Sequence, residues 1–143
     1  MVSGGFLGQQ TANRLKSAGF DVVGIARQDT VDRVGCDLSQ PDTDWNLLNQ
    51  QRPHVIVNCA VSANWDEDVL PELYPINILM RAVLAEWARS AGAYLIHISG
   101  SLVCGSGAEF VNIQSPVSAD TDYGRSKLLA EEAILASGVA SVI

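Results

Sequence analysis

Tyr123 and Lys127, in the stretch YGRSK, stand four residues apart, and residues at that spacing on a helix project from one face. An ammonium so placed lowers the pKa of the phenol towards neutrality, and the phenol can then give a proton to, or take one from, a substrate oxygen. Near the other end of the chain, Gly5 and Gly8 of GGFLGQQ enclose Phe6 and Leu7. Glycines spaced in this way at a strand-to-helix turn let the backbone approach a pyrophosphate, while the N–H groups and positive end of the following helix stabilise the anion. Taken singly, the tyrosine and lysine read better as a surface tyrosine beside a solvated lysine, and the glycines equally well as an ordinary glycine-rich turn.

The elements that must position these residues follow from periodicity. Gln9 to Ala18 reads as a short helix stopped by Gly19, and FDVVGIA (Phe20 to Ala26) as a strand. VGCDL (Val34 to Leu38) is a weaker strand, and TDWNLLNQQ (Thr43 to Gln51) a helix capped by Asp42 or Thr43. HVIVNCA (His54 to Ala60) is a continuous apolar run, as in a strand covered on both faces. Ile76, Leu79, Met80, Val83, Leu84, Trp87 and Ala91 recur at helical spacing, with Gly92 as a stop. AYLIHIS (Ala93 to Ser99) is a further strand, followed by a Gly/Ser-rich loop to about Ala119, a helix over Asp122 to Ser137, Gly138 as its stop, and a last strand in VASVI. Strands alternating with helices imply an α/β fold built on a Rossmann-like, doubly wound parallel sheet.

Bulk properties narrow the function. The 143 residues, 48% of them hydrophobic, suit a single domain with a proper core, spanning 1–143. Sixteen acidic against 9 basic residues give a net charge of −7, which disfavours nucleic acid and anionic membranes as partners. No apolar run approaches the roughly 20 residues that span a bilayer, and no signal peptide is evident, so a cytoplasmic location is expected. Cys36, Cys59 and Cys104 read as small buried residues, neither a disulfide nor a metal site. His97, Trp45 and Trp87 read as packing residues.

The order of these features carries more than any one of them: a glycine turn, a strand ending in NCA (Asn58 to Ala60), a strand ending in HIS, then YGRSK. This layout resembles the extended short-chain dehydrogenase/reductase family over essentially the whole chain. RPHVIVNCA, Asn77 at the head of the long helix, GAYLIHIS and YGRSKLLAEEAI look most like its dTDP-4-dehydrorhamnose reductase branch, which also contains the regulatory β subunit of methionine adenosyltransferase. The resemblance implies an NADP(H)- or NAD(H)-dependent reductase of a nucleotide-sugar ketone. It makes Tyr123 the catalytic acid/base and Lys127 the group that binds the nicotinamide ribose and tunes Tyr123. Gly5, Phe6, Leu7 and Gly8 would face the pyrophosphate, Asp37 and Leu38 the adenine, and Asn58, Cys59 and Ala60 would form the strand end that lines the cofactor. Arg27, just beyond the second strand, sits where a cation can receive a 2′-phosphate, which favours NADP(H). A homodimer or a regulatory complex is the partner the resemblance implies.

Three departures from the family pattern are visible. Gly100 occupies the place of its catalytic serine or threonine; Ser99 or Ser101 on either side is the candidate to take over that catalytic role through a one-residue shift, against which neighbours in an extended segment point to opposite sides. Only Met1 to Ser3 are available for the central first strand of a 3-2-1-4-5-6 sheet, which leaves FDVVGIA and HVIVNCA with apolar edges. The chain stops at Ile143, where a sixth strand begins and before the region that would bind substrate. It therefore reads as an incomplete dinucleotide-binding domain. The alternatives are a non-catalytic regulatory subunit and a truncated product without function.

Overall fold

The computed structural model of the chain describes residues 2–3, 5–31, 33–40, 45–63, 69–107 and 110–143. Strands and helices follow one another as β1 (Val2–Ser3), α1 (Phe6–Ser17), β2 (Gly24–Ala26), β3 (Arg33–Gly35), α2 (Asn46–Gln51), β4 (Val55–Asn58), α3 (Leu70–Tyr74), α4 (Met80–Ala91), β5 (Tyr94–His97), α5 (Asp122–Ser137) and β6 (Ser141–Val142). The ladders are parallel and form two groups, β1–β2–β3 and β4–β5–β6. β1 lies against β4 where the groups meet, so the strands follow the spatial order 3-2-1-4-5-6 expected from the sequence. The cap expected at Asp42 or Thr43 lies outside the described residues.

The core sits between the β4–β5 ladder and helices α4 and α5. Ile56, Leu84, Leu95 and Ile134 are all at most 1% exposed, and burying each such side chain contributes roughly 1.5–3 kcal/mol. Register then places chemistry beside packing. Ile56 pairs with Leu95 and Asn58 with His97, so the two buried polar side chains at the strand ends meet, with 3.3 Å between Asn58 Nδ2 and His97 Nδ1. Both helices that flank this ladder end where the apolar pattern says they should, because Gly92 and Gly138 adopt left-handed φ values of 69° and 70° that other residues resist.

The long helix differs from the expected single run. It begins at Leu70, and Pro75–Leu79 form a π turn in which the N–H of Met80 donates to the carbonyl of Pro75. Asn77 thus lies inside the helix and not at its head. Such turns widen a helix locally and are frequent at functional sites.

β1 pairs with β2 through Val2 and Ser3. β2 is laddered only over Gly24–Ala26, so Phe20 to Val23, expected as strand, have no ladder partner among the described residues. Phe20, Val22 and Val23 instead line a cavity of about 720 Å³ with Leu15, Val55 and Val57. The cavity lies between the first and second halves of the sheet.

Candidate functional site

At its N-terminus α1 starts with Gly5 in an extended conformation, and the first bond of the helix runs from the Gln9 N–H to the Gly5 carbonyl at 2.9 Å. The preceding N–H groups have no acceptor within the helix, and no acidic residue occupies its first turn. A Cβ added at Gly5 would meet nothing within 4 Å, so the space beside it is open. These features suit an anion.

Gly5 lines a cleft of about 310 Å³ together with Arg27, Cys36, Asp37, Leu38, Cys59 and Ala60. The cleft therefore gathers residues that follow β2, β3 and β4, the position at which parallel α/β sheets bind nucleotides. Phe6 and Leu7 are 83% and 49% exposed and face solvent at the head of α1. Gly8, expected to face the pyrophosphate, is buried within α1, where a glycine allows the helix to pack closely on the sheet. The Asp37 carboxylate accepts from the Ser39 N–H at 3.0 Å and from the Ser39 hydroxyl at 2.7 Å, which hold it below the usual carboxylate range. It orders the loop whose wall meets the cleft. Cys36, Cys59 and Cys104 are half-buried and not the buried residues expected, because the first two stand just beyond strand ends, on the cleft wall. Burial pushes the Cys59 thiol up.

α5 carries the tyrosine and lysine. Thr121 caps it, its Oγ1 accepting from the Gly124 N–H at 3.1 Å. Gly124 is required by contact: a Cβ there would lie 2.5 Å from the Leu102 carbonyl oxygen. That close approach fixes the first turn of α5 against the 3₁₀ turn Ser101–Cys104. Lys127 is 2% exposed, its ammonium donates to the Ile98 carbonyl at the end of β5, and burial lowers its pKa to about 8. Lys127 and Cys59 act on each other electrostatically, which places the ammonium near the cleft wall. The Tyr123 phenol is raised by burial, not drawn towards neutrality as the spacing suggested, and the cation that opposes the rise is Arg81.

The serines flanking position 100 have other occupations. The Ser99 hydroxyl is hydrogen-bonded to Glu131, one turn beyond Lys127, and Ser101 is exposed at the start of the 3₁₀ turn. Gly100 has φ −166° and ψ 157°, an extended conformation open to any residue, and a Cβ there would meet nothing within 4 Å.

A buried polar cluster joins the cleft to α5. Asn77 is fully buried; its Oδ1 accepts from the Ser62 N–H at 2.9 Å, and its Nδ2 donates to the Ser62 carbonyl at 2.9 Å and to Ser126 Oγ at 3.0 Å. Ser126 in turn donates to the Tyr123 carbonyl at 2.7 Å. Arg81, also fully buried, donates to the Ala60 carbonyl at 2.6 Å and the Ile76 carbonyl at 2.7 Å. Sequence reasoning passed over Arg81, although its place four residues after Asn77 on the apolar face of α4 is the signal that would have found it. His97 packs as expected. The Asn58 amide, oriented by the Ala60 N–H on its Oδ1 at 3.1 Å, donates to His97 Nδ1, which must therefore accept, and burial drives the imidazole pKa to about 3.

A parallel sheet in this order, with a glycine turn at its first helix and a tyrosine–lysine helix beside the ends of β4 and β5, is the Rossmann-like fold of the short-chain dehydrogenase/reductases. Within that class the chain belongs to the family described as RmlD substrate binding domain, whose model matches residues 2–143. Among curated relatives it is 27% identical over 143 residues to the dTDP-4-dehydrorhamnose reductase of Mycolicibacterium smegmatis, covering 94% of this chain and 40% of that protein. It is 29% identical over 140 residues to methionine adenosyltransferase 2 subunit beta of Xenopus laevis, covering 92% of this chain and 40% of that protein. Solved structures that it resembles include a dTDP-4-dehydrorhamnose reductase from Clostridium acetobutylicum (TM-score 0.78, 28% identity, 94% of this chain and 48% of that one). Another is MoeE5 in complex with UDP-glucose and NAD (TM-score 0.80, 26% identity, 95% of this chain and 48% of that one). The chain thus spans less than half the length of these proteins. No helix among the described residues is long and apolar enough to cross a membrane.

Proposed function

We propose that residues 1–143 form a single dinucleotide-binding unit of an NADP(H)-dependent reductase acting on a nucleotide-sugar type ketone. The observation that carries this reading is the cleft at the ends of β2, β3 and β4, open beside Gly5 at the head of α1. Gly5 and the first N–H groups of α1 would hold the pyrophosphate, and Asp37, Leu38, Cys59 and Ala60 would wall the adenosine side. Arg27 favours NADP(H) over NAD(H), since it lines the cleft, acts electrostatically on Asp37 and carries a guanidinium that can pair with a 2′-phosphate. The cofactor supplies hydride. The chain's own contribution is the proton: Tyr123 donates it to the substrate oxygen, and Lys127, held at the end of β5, binds the ribose and orients the nicotinamide side of the cleft.

A second reading, a nucleotide-binding regulatory subunit without catalysis, is favoured by one specific observation: position 100 lacks a side chain, and the neighbouring Ser99 hydroxyl is engaged by Glu131. Its resemblance to methionine adenosyltransferase 2 subunit beta supports it equally with the reductase match. A regulatory complex is the partner of this reading and a homodimer that of the first.

The test is thermal unfolding with and without millimolar NADPH or NADH, followed by NADPH oxidation with a dTDP-4-keto sugar by the longest natural product that contains this chain. A Tm raised by NADPH more than by NADH, with turnover, supports the reductase. Binding without turnover supports the regulatory subunit, and a Tm that neither nucleotide moves contradicts both.

A further inference from the structure

We propose that Arg81 is a positioning residue for Tyr123: a buried cation that ties the cleft wall to the helix carrying the phenol, and whose positive charge stabilises the phenolate left when Tyr123 gives up its proton. The inference rests on Tyr123 as the proton donor and adds a residue that the reading of the glycine turn and the YGRSK stretch did not contain.

The geometry is that of a strut. Arg81 leaves α4 one turn beyond Asn77 and reaches three oxygens: Ala60 O at 2.6 Å on the cleft wall, Ile76 O at 2.7 Å in the π turn, and Asn77 Oδ1 at 3.4 Å. Through Asn77 the connection continues to Ser126 Oγ and from there to the Tyr123 backbone. Neutral donors could hold those carbonyls. A guanidinium is the costly choice, because it is fully buried, its Nε has no hydrogen-bond partner, and no carboxylate among the described residues is bonded to it. The charge, not the hydrogen bonds, is what a purely structural role leaves unexplained.

The charged groups on the elements packed around Tyr123, among the described residues, are already engaged in other contacts. On α5 itself, Asp122 accepts from the Leu70 N–H and from Arg125, and Lys127 gives its ammonium to the Ile98 carbonyl. Glu131 is bonded to Ser99. His97 on β5 is held neutral, and Glu72 on α3, the helix packed against α5, is exposed. Arg81 on α4 acts on Tyr123 as a cation, and the phenol in turn favours the charged form of Arg81, whose pKa burial lowers to about 10. The proton that leaves Tyr123 goes to the substrate oxygen, and the phenolate regains one from solvent. With no side chain at position 100 to donate to the reacting oxygens, the buried charge of Arg81 is one that favours the phenolate.

The experiment is a direct titration of Tyr123 in the 143-residue chain by tyrosinate absorbance, taking the difference from Tyr123→Phe, in the wild type, Arg81→Met, Arg81→Gln and Arg81→Lys. Removing the charge in Arg81→Met or Arg81→Gln is expected to move the Tyr123 titration up by about one unit or more. Arg81→Lys keeps the charge and should stay within about half a unit of the wild type. A folded neutral variant in which Tyr123 titrates as in the wild type overturns the proposal. If both neutral variants unfold, Arg81→Lys decides alone: an upward move of about a unit overturns it, and an unchanged titration supports it. Because no cofactor is present, the two readings fail separately. Expected titrations in a chain that binds neither nucleotide would sink the reductase and leave Arg81 its role, whereas nucleotide binding with unmoved titrations would do the reverse.

Discussion

The Lys127 ammonium donates to the backbone carbonyl of Ile98, so the helix that carries Tyr123 is fastened to the end of β5 two residues before Gly100. The bond is made by a group that is 2% exposed, and burial holds its pKa at about 8 against an ordinary value of 10.5.

Between pH 8 and 10.5 the unfolded chain therefore binds a proton at Lys127 that the folded chain does not, and stability rises with pH across that window. The penalty is fully present below pH 8 and amounts to about 3 kcal/mol. Urea unfolding from pH 7.5 to 10.5 should show this upward slope, and Lys127→Met should flatten it. Equal slopes in the two proteins would show that the ammonium is better solvated than its burial indicates.

His97 sets a second window. Its folded pKa of about 3 lies below the ordinary 6.5, because the ring is buried and the Arg81 and Lys127 cations disfavour a further positive charge. The unfolded chain takes the proton first as pH falls, so stability is lost from pH 6.5 downwards, by an amount on the order of 5 kcal/mol once pH 3 is reached. Carboxylates add to the loss at lower pH; between 6.5 and 5 the decline belongs to His97. His97→Gln, which can still accept from Asn58, should remove the decline in that interval, and a wild-type stability constant from pH 7 to 5 would contradict the assignment.

Gly124→Ala places a methyl 2.5 Å from the Leu102 carbonyl, and the resulting overpacking should cost about 1–3 kcal/mol. Both partners are backbone, so neither a rotamer change nor a side-chain shift relieves it. A Tm within a degree of the wild type would mean that the 3₁₀ turn moves freely away from α5.

At Gly100 the opposite holds. The backbone is extended and the space beside it open, so Gly100→Thr should leave stability within about 0.5 kcal/mol. In a full-length product it should raise NADPH oxidation roughly tenfold or more by restoring a donor to the reacting oxygen. A stable Thr variant with unchanged turnover would show that Tyr123 works without such a donor.

How much of this was legible beforehand depends on what each residue signals locally. α5 was readable at both ends, Asp122 to Ser137, because its polar start and the glycine that stops it are short-range chemistry. β2 was over-read at Phe20 to Val23, since β-branched residues announce a strand whether or not a neighbour is there to pair with. The π turn left no periodic trace, which is why Asn77 was placed at a helix start. Arg81 escaped because helical periodicity counts apolar residues, and a cation on the same face falls out of the pattern unless it is looked for. The glycine turn, Arg27, Asp37 and the NCA strand end were legible as a group by their order, and the fold brings them to one cleft that no single spacing could have specified.

The central claim is that this cleft holds the dinucleotide, and its walls carry their own reporters. Cys36 and Cys59 line it, whereas Cys104 closes the 3₁₀ turn by the loop that follows β5. Alkylation rates of the three thiols, read by peptide mass spectrometry with and without saturating NADPH, test it most directly. The account predicts that NADPH slows Cys36 and Cys59 several-fold and leaves Cys104 unchanged. Equal rates at all three cysteines with and without nucleotide, in a folded protein, would contradict it.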